Sequence, residues 1–305
     1  MNMKYVAAVL GVIVIGVLAY TLMGRQNPEA SGEKMSIVAS FYPVYFFASE
    51  IGGDKADVMN VTPAGGEPHD YEPTAQDMAR IESGKLLILN GGVEAWAENI
   101  EQNIDPSRTI VVTAGKGLMT QQVVEEGETI TDPHVWLSPL LAQQMVDKIA
   151  SGFTQADPDN ASYYATNAQA LKAKLSDLDT AYKQGLSTCK SKNIITSHAA
   201  FGYLASTYGL NQVPITGVSP DAEPSAQELA QVAKFARDNN VKYIFFESLV
   251  SPKLSETIAT EVGAQTLVLN PLEGLTDEEI AADKDYFTEM QNNLANLKTA
   301  LQCQE

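Results

Sequence analysis

The feature that most restricts the fold of this chain lies near its middle. Between Asp157 and Leu186, the residues Tyr164, Ala168, Leu171, Leu175, Leu178 and Tyr182 recur at spacings of four and three. Helical side chains three and four apart share a face, so these six form one apolar stripe on one helix. Asp159 or Asn160 can cap its start, and Gly185 lies near its end. About 26 helical residues reach roughly 39 Å, which is long for a helix inside one small domain. The segment reads as a rigid strut joining two halves, with an ordinary core helix as the alternative.

The same rhythm appears on both sides of the strut. Before it, strand-like runs at Ser36–Ser40, Asp57–Thr62, Lys85–Asn90 and Thr109–Thr113 alternate with helical stretches at Pro43–Ile51, Thr74–Ser83 and Glu94–Asn99. After it, runs at Asn193–Ser197, Gln212–Val218, Lys242–Phe246 and Thr266–Leu269 alternate with helices at Phe201–Tyr208, from Ser225, after Ser251-Pro252 and from Asp283 to Leu301. Buried runs alternating with helices indicate parallel sheets built of βα units. The predicted fold class is α/β: two similar βα lobes with parallel four-stranded sheets, joined by a long backbone helix. The 305 residues suffice for two cores. The expected divisions are an apolar segment and linker over 1–34, lobes over 35–156 and 188–305, and the connecting helix over 157–187. Gly115 to Thr131 is acidic and reads as loop.

Tyr5 to Met23 carries no charge and is rich in Val, Ile, Leu and Ala. About 19 helical residues reach about 29 Å, close to a bilayer core. No clear A-x-A cleavage site follows, so the segment reads as a membrane anchor in preference to a cleaved signal peptide. Gly24 to Lys34 reads as a polar linker. Either reading places the remainder outside the cytoplasm. A net charge of −18 argues against nucleic acid as a partner, since a phosphate backbone needs Lys and Arg; an acidic surface attracts cations instead. Cys189 and Cys303 are the only cysteines, and in an exported chain they predict a disulfide tying the C-terminus to the second half. Two free thiols are the alternative.

Ligands of open α/β sheets sit beyond the carboxyl ends of the strands. His69, His134, His198, Glu247 and Glu273 all fall there, two in the first half and three in the second. The chain has only three His, and every one occupies this position. If the halves face each other, the five residues converge on the cleft between them. His69 lies in a loop stiffened by Pro68 and Pro73 and turned by Gly65 and Gly66. Three imidazoles with one carboxylate suit a borderline divalent cation, Zn²⁺ above all. No local H-E-x-x-H or C-x-x-C spacing is present, and the residues alone leave Glu247 and Glu273 both open as the fourth ligand.

Five motifs carry a resemblance: Glu-Pro-His-Asp-Tyr-Glu-Pro-Thr at 67–74, Asp-Pro-His-Val-Trp-Leu-Ser-Pro at 132–139, Ser-His-Ala-Ala-Phe-Gly-Tyr at 197–203, Ser-Pro-Asp-Ala-Glu-Pro-Ser at 219–225 and Asn-Pro-Leu-Glu at 270–273. In this order they resemble the zinc/manganese solute-binding proteins of ABC importers, the ZnuA/TroA-like family, from about Ser36 to Cys303. The resemblance implies one metal between the lobes, held by His69, His134, His198 and Glu273. Glu247 is then left to accept a hydrogen bond from a ligand imidazole. Manganese-type members usually carry Glu at the third ligand position, so His198 places the chain with the zinc-type branch and makes Mn²⁺ the lesser candidate. The chain departs from the family in three places. Ala199 stands where Asp is often found, the loop before His134 is acidic where many zinc-type members are His-rich, and no lipoprotein Cys follows the apolar segment. The function implied is an extracytoplasmic monomer that captures Zn²⁺ and delivers it to the membrane permease of an ABC transporter, without being an enzyme. A zinc-dependent enzyme is one alternative, since three His and a water are also a catalytic arrangement. A metal-binding surface adhesin is another, as proteins of this family have been called adhesins. A carboxylate in the fourth position would separate transport from catalysis.

Overall fold

The computed structural model describes residues 34–125 and 127–304. Tyr5–Met23 lies outside them, and no helix among the described residues is long and apolar enough to cross a membrane. The first half contains strands β1 (Met35–Ala39), β2 (Ala56–Asn60), β3 (Leu86–Leu89) and β4 (Ile110–Thr113), all parallel, in the order β2-β1-β3-β4. A two-stranded antiparallel hairpin follows, β5 (Gln122–Glu125) and β6 (Glu128–Thr131). The second half contains β7 (Asn193–Thr196), β8 (Asn211–Pro214), β9 (Tyr243–Phe246) and β10 (Gln265–Val268), again parallel, in the order β10-β9-β7-β8. Counted within each half, both sheets run second-first-third-fourth, the repeat that the alternating pattern predicts. The central strand β3 is Leu-Leu-Ile-Leu with every residue buried, as a parallel strand covered on both faces requires.

The main helices of the first half are α1 (Tyr42–Gly52), α2 (Ala75–Ser83), α3 (Ala97–Asn103) and α4 (Pro139–Ala156). The long helix α5 spans Ala161–Gly185, and its buried face carries all six residues of the apolar stripe together with Asp179. That buried carboxylate is paired: Tyr208 Oη donates to it at 3.2 Å and Lys183 Nζ at 2.7 Å. Helices α6 (Gly202–Tyr208), α7 (Ala226–Asp238), α8 (Lys253–Val262), α9 (Asp277–Ala281) and α10 (Tyr286–Ala300) complete the second half. Helix α5 packs against α1 and α4 on one side of the chain's repeat and against α10 on the other. One buried core runs through both halves, from Ile37 and Phe47 past Leu171 and Leu175 to Phe245 and Leu297, with a smaller cluster beside each sheet.

Four local expectations are corrected. The acidic stretch before His134 is not all loop, because β5 and β6 pair over four residues each. The helix expected over Glu94–Asn99 is displaced to Ala97–Asn103, because the Glu94 side chain accepts from the backbone N–H groups of Asn90 and Gly91 and holds that turn open. The last helix starts at Tyr286, not Asp283. Asp283 adopts φ +53°, and Asp285 with Thr288 forms a new capping box that starts α10. Helix α5, for its part, takes no side-chain cap; the Asn160 amide bonds Asp157 instead, within a 3-10 turn at Pro158–Asn160. Cys189, just past α5, and Cys303, just past α10, are joined by a disulfide.

Candidate metal centre

Four loops beyond strand ends bring His69, His134, His198 and Glu273 together. The His69 loop leaves β2 and turns at Gly65, whose φ is +71°. It is tied to the Glu273 loop of the other half by Gly65 N–H donating to Leu275 O at 2.9 Å. His134 follows the hairpin, between β4 and α4. His198 follows β7, and its carbonyl accepts from Thr196 Oγ1 at 2.8 Å and Gln212 Nε2 at 3.0 Å. His134 and His198 are fully buried, Glu273 is 1% exposed and the His69 side chain 8%.

The four donor atoms face one another. Glu273 Oε1 lies 3.3 Å from His69 Nε2, 3.1 Å from His134 Nε2 and 3.3 Å from His198 Nε2. His134 Nε2 and His198 Nε2 are 3.2 Å apart, and all four atoms lie within 4.8 Å of one another. A tetrahedral ion with bonds of about 2.0–2.1 Å separates its ligands by about 3.3–3.4 Å. Four of the six edges, the three from Glu273 and the one between His134 and His198, match that figure closely. Glu273 Oε2 is buried without a hydrogen-bond partner, an orphaned anionic oxygen that a cation at the centre would satisfy.

The opposite face of each buried ring is fixed. His134 Nδ1 lies 2.8 Å from Asp132 Oδ1, and His198 Nδ1 lies 2.7 Å from Glu247 Oε1. Carboxylates only accept, so both rings donate from Nδ1 and direct the Nε2 lone pair inward in the neutral form. Burial pulls the pKa of His134 down, but Asp132 and Glu273 outweigh it and the net direction is up. The same opposition, with Glu247 and Glu273 as the raising partners, leaves His198 well above its ordinary value. Burial pushes Glu273 up, yet the positive charge of His198 and hydrogen bonds from the imidazoles hold it well below the usual carboxylate range. Without a metal, the centre thus favours a carboxylate beside protonated imidazole. Glu67 is different: burial and then the Glu273 charge push it up to about 9.

The five predicted site residues separate into two groups. Four converge with their donor atoms, and Glu247 stands behind His198. Asp132 and Glu67 were not singled out from the sequence, yet each precedes a ligand His by two residues with Pro between, as Glu67-Pro68-His69 and Asp132-Pro133-His134. In both, the acidic side chain accepts the backbone N–H of the His, at 3.2 Å and 2.9 Å. Asp132 reaches the ring as well. Glu67 keeps Oε2 buried and unpartnered. The repeated acidic-Pro-His spacing is the signal that could have found them. Beside Ala199, His198 is supported by Glu247, which contacts both the ring at 2.7 Å and the His198 backbone N–H at 3.2 Å.

A family profile described as zinc-uptake complex component A, periplasmic (ZnuA) matches residues 37–300. The high-affinity zinc uptake system protein ZnuA of Bacillus subtilis is 43% identical over 289 residues, covering 91% of this chain and 91% of its own length. The zinc-binding lipoprotein AdcA of Streptococcus pneumoniae is 39% identical over 301 residues, covering 95% of this chain; the match spans only 60% of AdcA. The crystal structure of the Zn(II)-bound ZnuA-like domain of that AdcA superimposes with a TM-score of 0.77 at 41% identity, covering 88% of this chain and 99% of the domain.

Proposed function

This chain belongs to the ZnuA family of zinc-uptake components, and on that premise we propose that it captures Zn²⁺ at the centre formed by His69, His134, His198 and Glu273 and passes it to an ABC-type membrane permease. The ion is cargo. Three neutral imidazoles and one carboxylate give it a four-coordinate site with net charge near +1, which His-bound Zn²⁺ tolerates well. The observation that carries the proposal is that Glu273 Oε1 lies 3.1–3.3 Å from the Nε2 atoms of all three imidazoles, with donor atoms drawn from both halves of the chain.

The roles follow from position. His134 and His198 are held from behind by Asp132 and Glu247, so they form the fixed part of the centre. His69 is the least buried ligand, on a loop held by turns, by Glu67 accepting the His69 N–H and by one bond to Leu275; it is the natural side for entry and exit. A carboxylate in the fourth position supports binding over catalysis, because a hydrolytic zinc needs that position for water. The Mn²⁺ alternative is weaker on donor grounds, since imidazole favours Zn²⁺ and Mn²⁺ prefers more oxygen ligands. We place the protein outside the cytoplasm, with the apolar Tyr5–Met23 stretch as its anchor or export signal. The test is a zinc titration of wild type and of His69→Ala, His134→Ala and His198→Ala by calorimetry. Each substitution is expected to weaken binding strongly while leaving one site per chain in wild type; unchanged affinity in any one removes that residue from the site.

A further inference from the structure

Among the described residues, the Glu273 carboxylate has no hydrogen-bond partner apart from the imidazoles it faces. Its place depends on its backbone, and that backbone is held from α10. Asn293 Oδ1 accepts from Asn270 N at 2.8 Å, and Asn293 Nδ2 donates to Asn270 O at 2.7 Å. One primary amide therefore satisfies both backbone groups of the residue three before Glu273, as a neighbouring strand would. Both asparagines are 1% exposed, so neither bond competes with water.

The next two residues are held in turn. Trp136 Nε1 donates to Pro271 O at 2.8 Å. Asn270 Oδ1 accepts from Leu272 N at 2.8 Å. Leu272 sits at φ +56°, a left-handed conformation that side chains with a Cβ disfavour and that persists only where surroundings impose it. The turn directs Glu273 back toward the three Nε2 atoms. An apolar residue of the same size at 293 would fill the space and leave the Asn270 N–H and carbonyl buried and unpaired. The loop would then be free to relax at Leu272, carrying the carboxylate away from the centre.

We propose that Asn293 is the positioning residue that fixes Glu273 as the fourth ligand, a role that rests on the metal-centre reading above. It touches no metal and acts through the backbone at 270–272.

The test is a double-mutant cycle on the full chain, with Zn²⁺ affinity measured by competition against a chromophoric chelator and geometry followed in the visible spectrum of Co²⁺. Asn293→Leu should weaken Zn²⁺ by about tenfold or more and change the Co²⁺ spectrum. Asn293→Asp keeps the acceptor for Asn270 N–H and should fall between wild type and Asn293→Leu, and it serves if the leucine variant does not fold. In a Glu273→Ala background, neither change at 293 should reduce affinity further, whereas a merely structural role would cost the same in both backgrounds. An equal loss in both backgrounds overturns the proposal. So does wild-type affinity in both 293 variants while Glu273→Ala alone weakens binding. Unchanged affinity in Glu273→Ala itself would sink the ligand assignment, and this proposal with it.

Discussion

Asp132 and Glu247 choose the tautomer of the neutral His134 and His198 rings. Each accepts from Nδ1 at under 3 Å, which leaves the Nε2 lone pair facing the centre. Asp132→Ala and Glu247→Ala are expected to weaken Zn²⁺ binding by about 10–100-fold each without abolishing it, which chelator competition would measure; no change in either would mean that packing alone orients the rings. Proton linkage gives a second expectation. His134 and His198 are raised and Glu273 is depressed in the metal-free protein. The raised histidines contribute stability that is complete below the unfolded imidazole value and lost as pH rises through their higher folded values. Zinc must displace those protons. The metal-free Tm should therefore fall as pH rises above the ordinary imidazole range, while the zinc-induced rise in Tm grows, and calorimetry in buffers of different ionisation heat should register proton release on binding. A zinc affinity flat across that range would contradict the assignment. The histidines stood out in the sequence because three His in 305 residues leave few choices. Their supporting carboxylates did not, because 38 acidic residues offer no contrast; only spacing from a ligand separates Asp132 and Glu67 from the rest.

At the scale of elements, the parallel strands were legible because both faces are covered and the apolar run is unbroken, as in β3. Helix α5 was legible because one face is buried along its whole length. The hairpin was not. Strands β5 and β6 are short and largely exposed; the β-branched Val123, Val124, Thr129, Ile130 and Thr131 around Gly127 carry a hairpin signal, but the acidic residues between them read as loop. Its attachment is a tertiary feature: Glu125 Oε2 accepts from Val218 N at 3.1 Å, and the Glu125 carboxyl lies where a Cβ on Gly217 would sit. The absent side chain at 217 makes the contact possible. Gly217→Ala is expected to evict the Glu125 carboxyl from the Val218 N–H and cost about 0.5–1.5 kcal/mol. Hydrogen exchange at the hairpin should rise in that variant. In a Glu125→Ala background, the same substitution should cost less, and an equal cost would show that 217 matters for another reason.

At the scale of the whole molecule, the two halves repeat one topology and diverge in its use. Each closes the crevice between its first and third strands with a buried glutamate. In the first half, Glu94 accepts from Ser40 and from the Asn90 and Gly91 N–H groups. In the second, Glu247 accepts from His198. The glutamate braces backbone in one half and an imidazole in the other. One core is shared across the halves, and α5 packs on α1, α4 and α10. The disulfide Cys189–Cys303 closes the frame behind α10 across 114 residues of sequence. Replacing both cysteines with serine should lower stability by about 2–4 kcal/mol in denaturant unfolding, and free-thiol labelling of denatured wild type should find no reactive Cys.

The central claim is that one Zn²⁺ ion is held by three imidazole nitrogens and one carboxylate drawn from both halves. A crystal structure of the zinc-loaded protein tests it most directly. The account predicts one ion bonded to Nε2 of His69, His134 and His198 at about 2.0–2.1 Å and to Glu273 at about 2.0–2.2 Å. Zinc bound to Glu247 with Glu273 remote, or zinc with a water in the fourth position and Glu273 turned away, would contradict it.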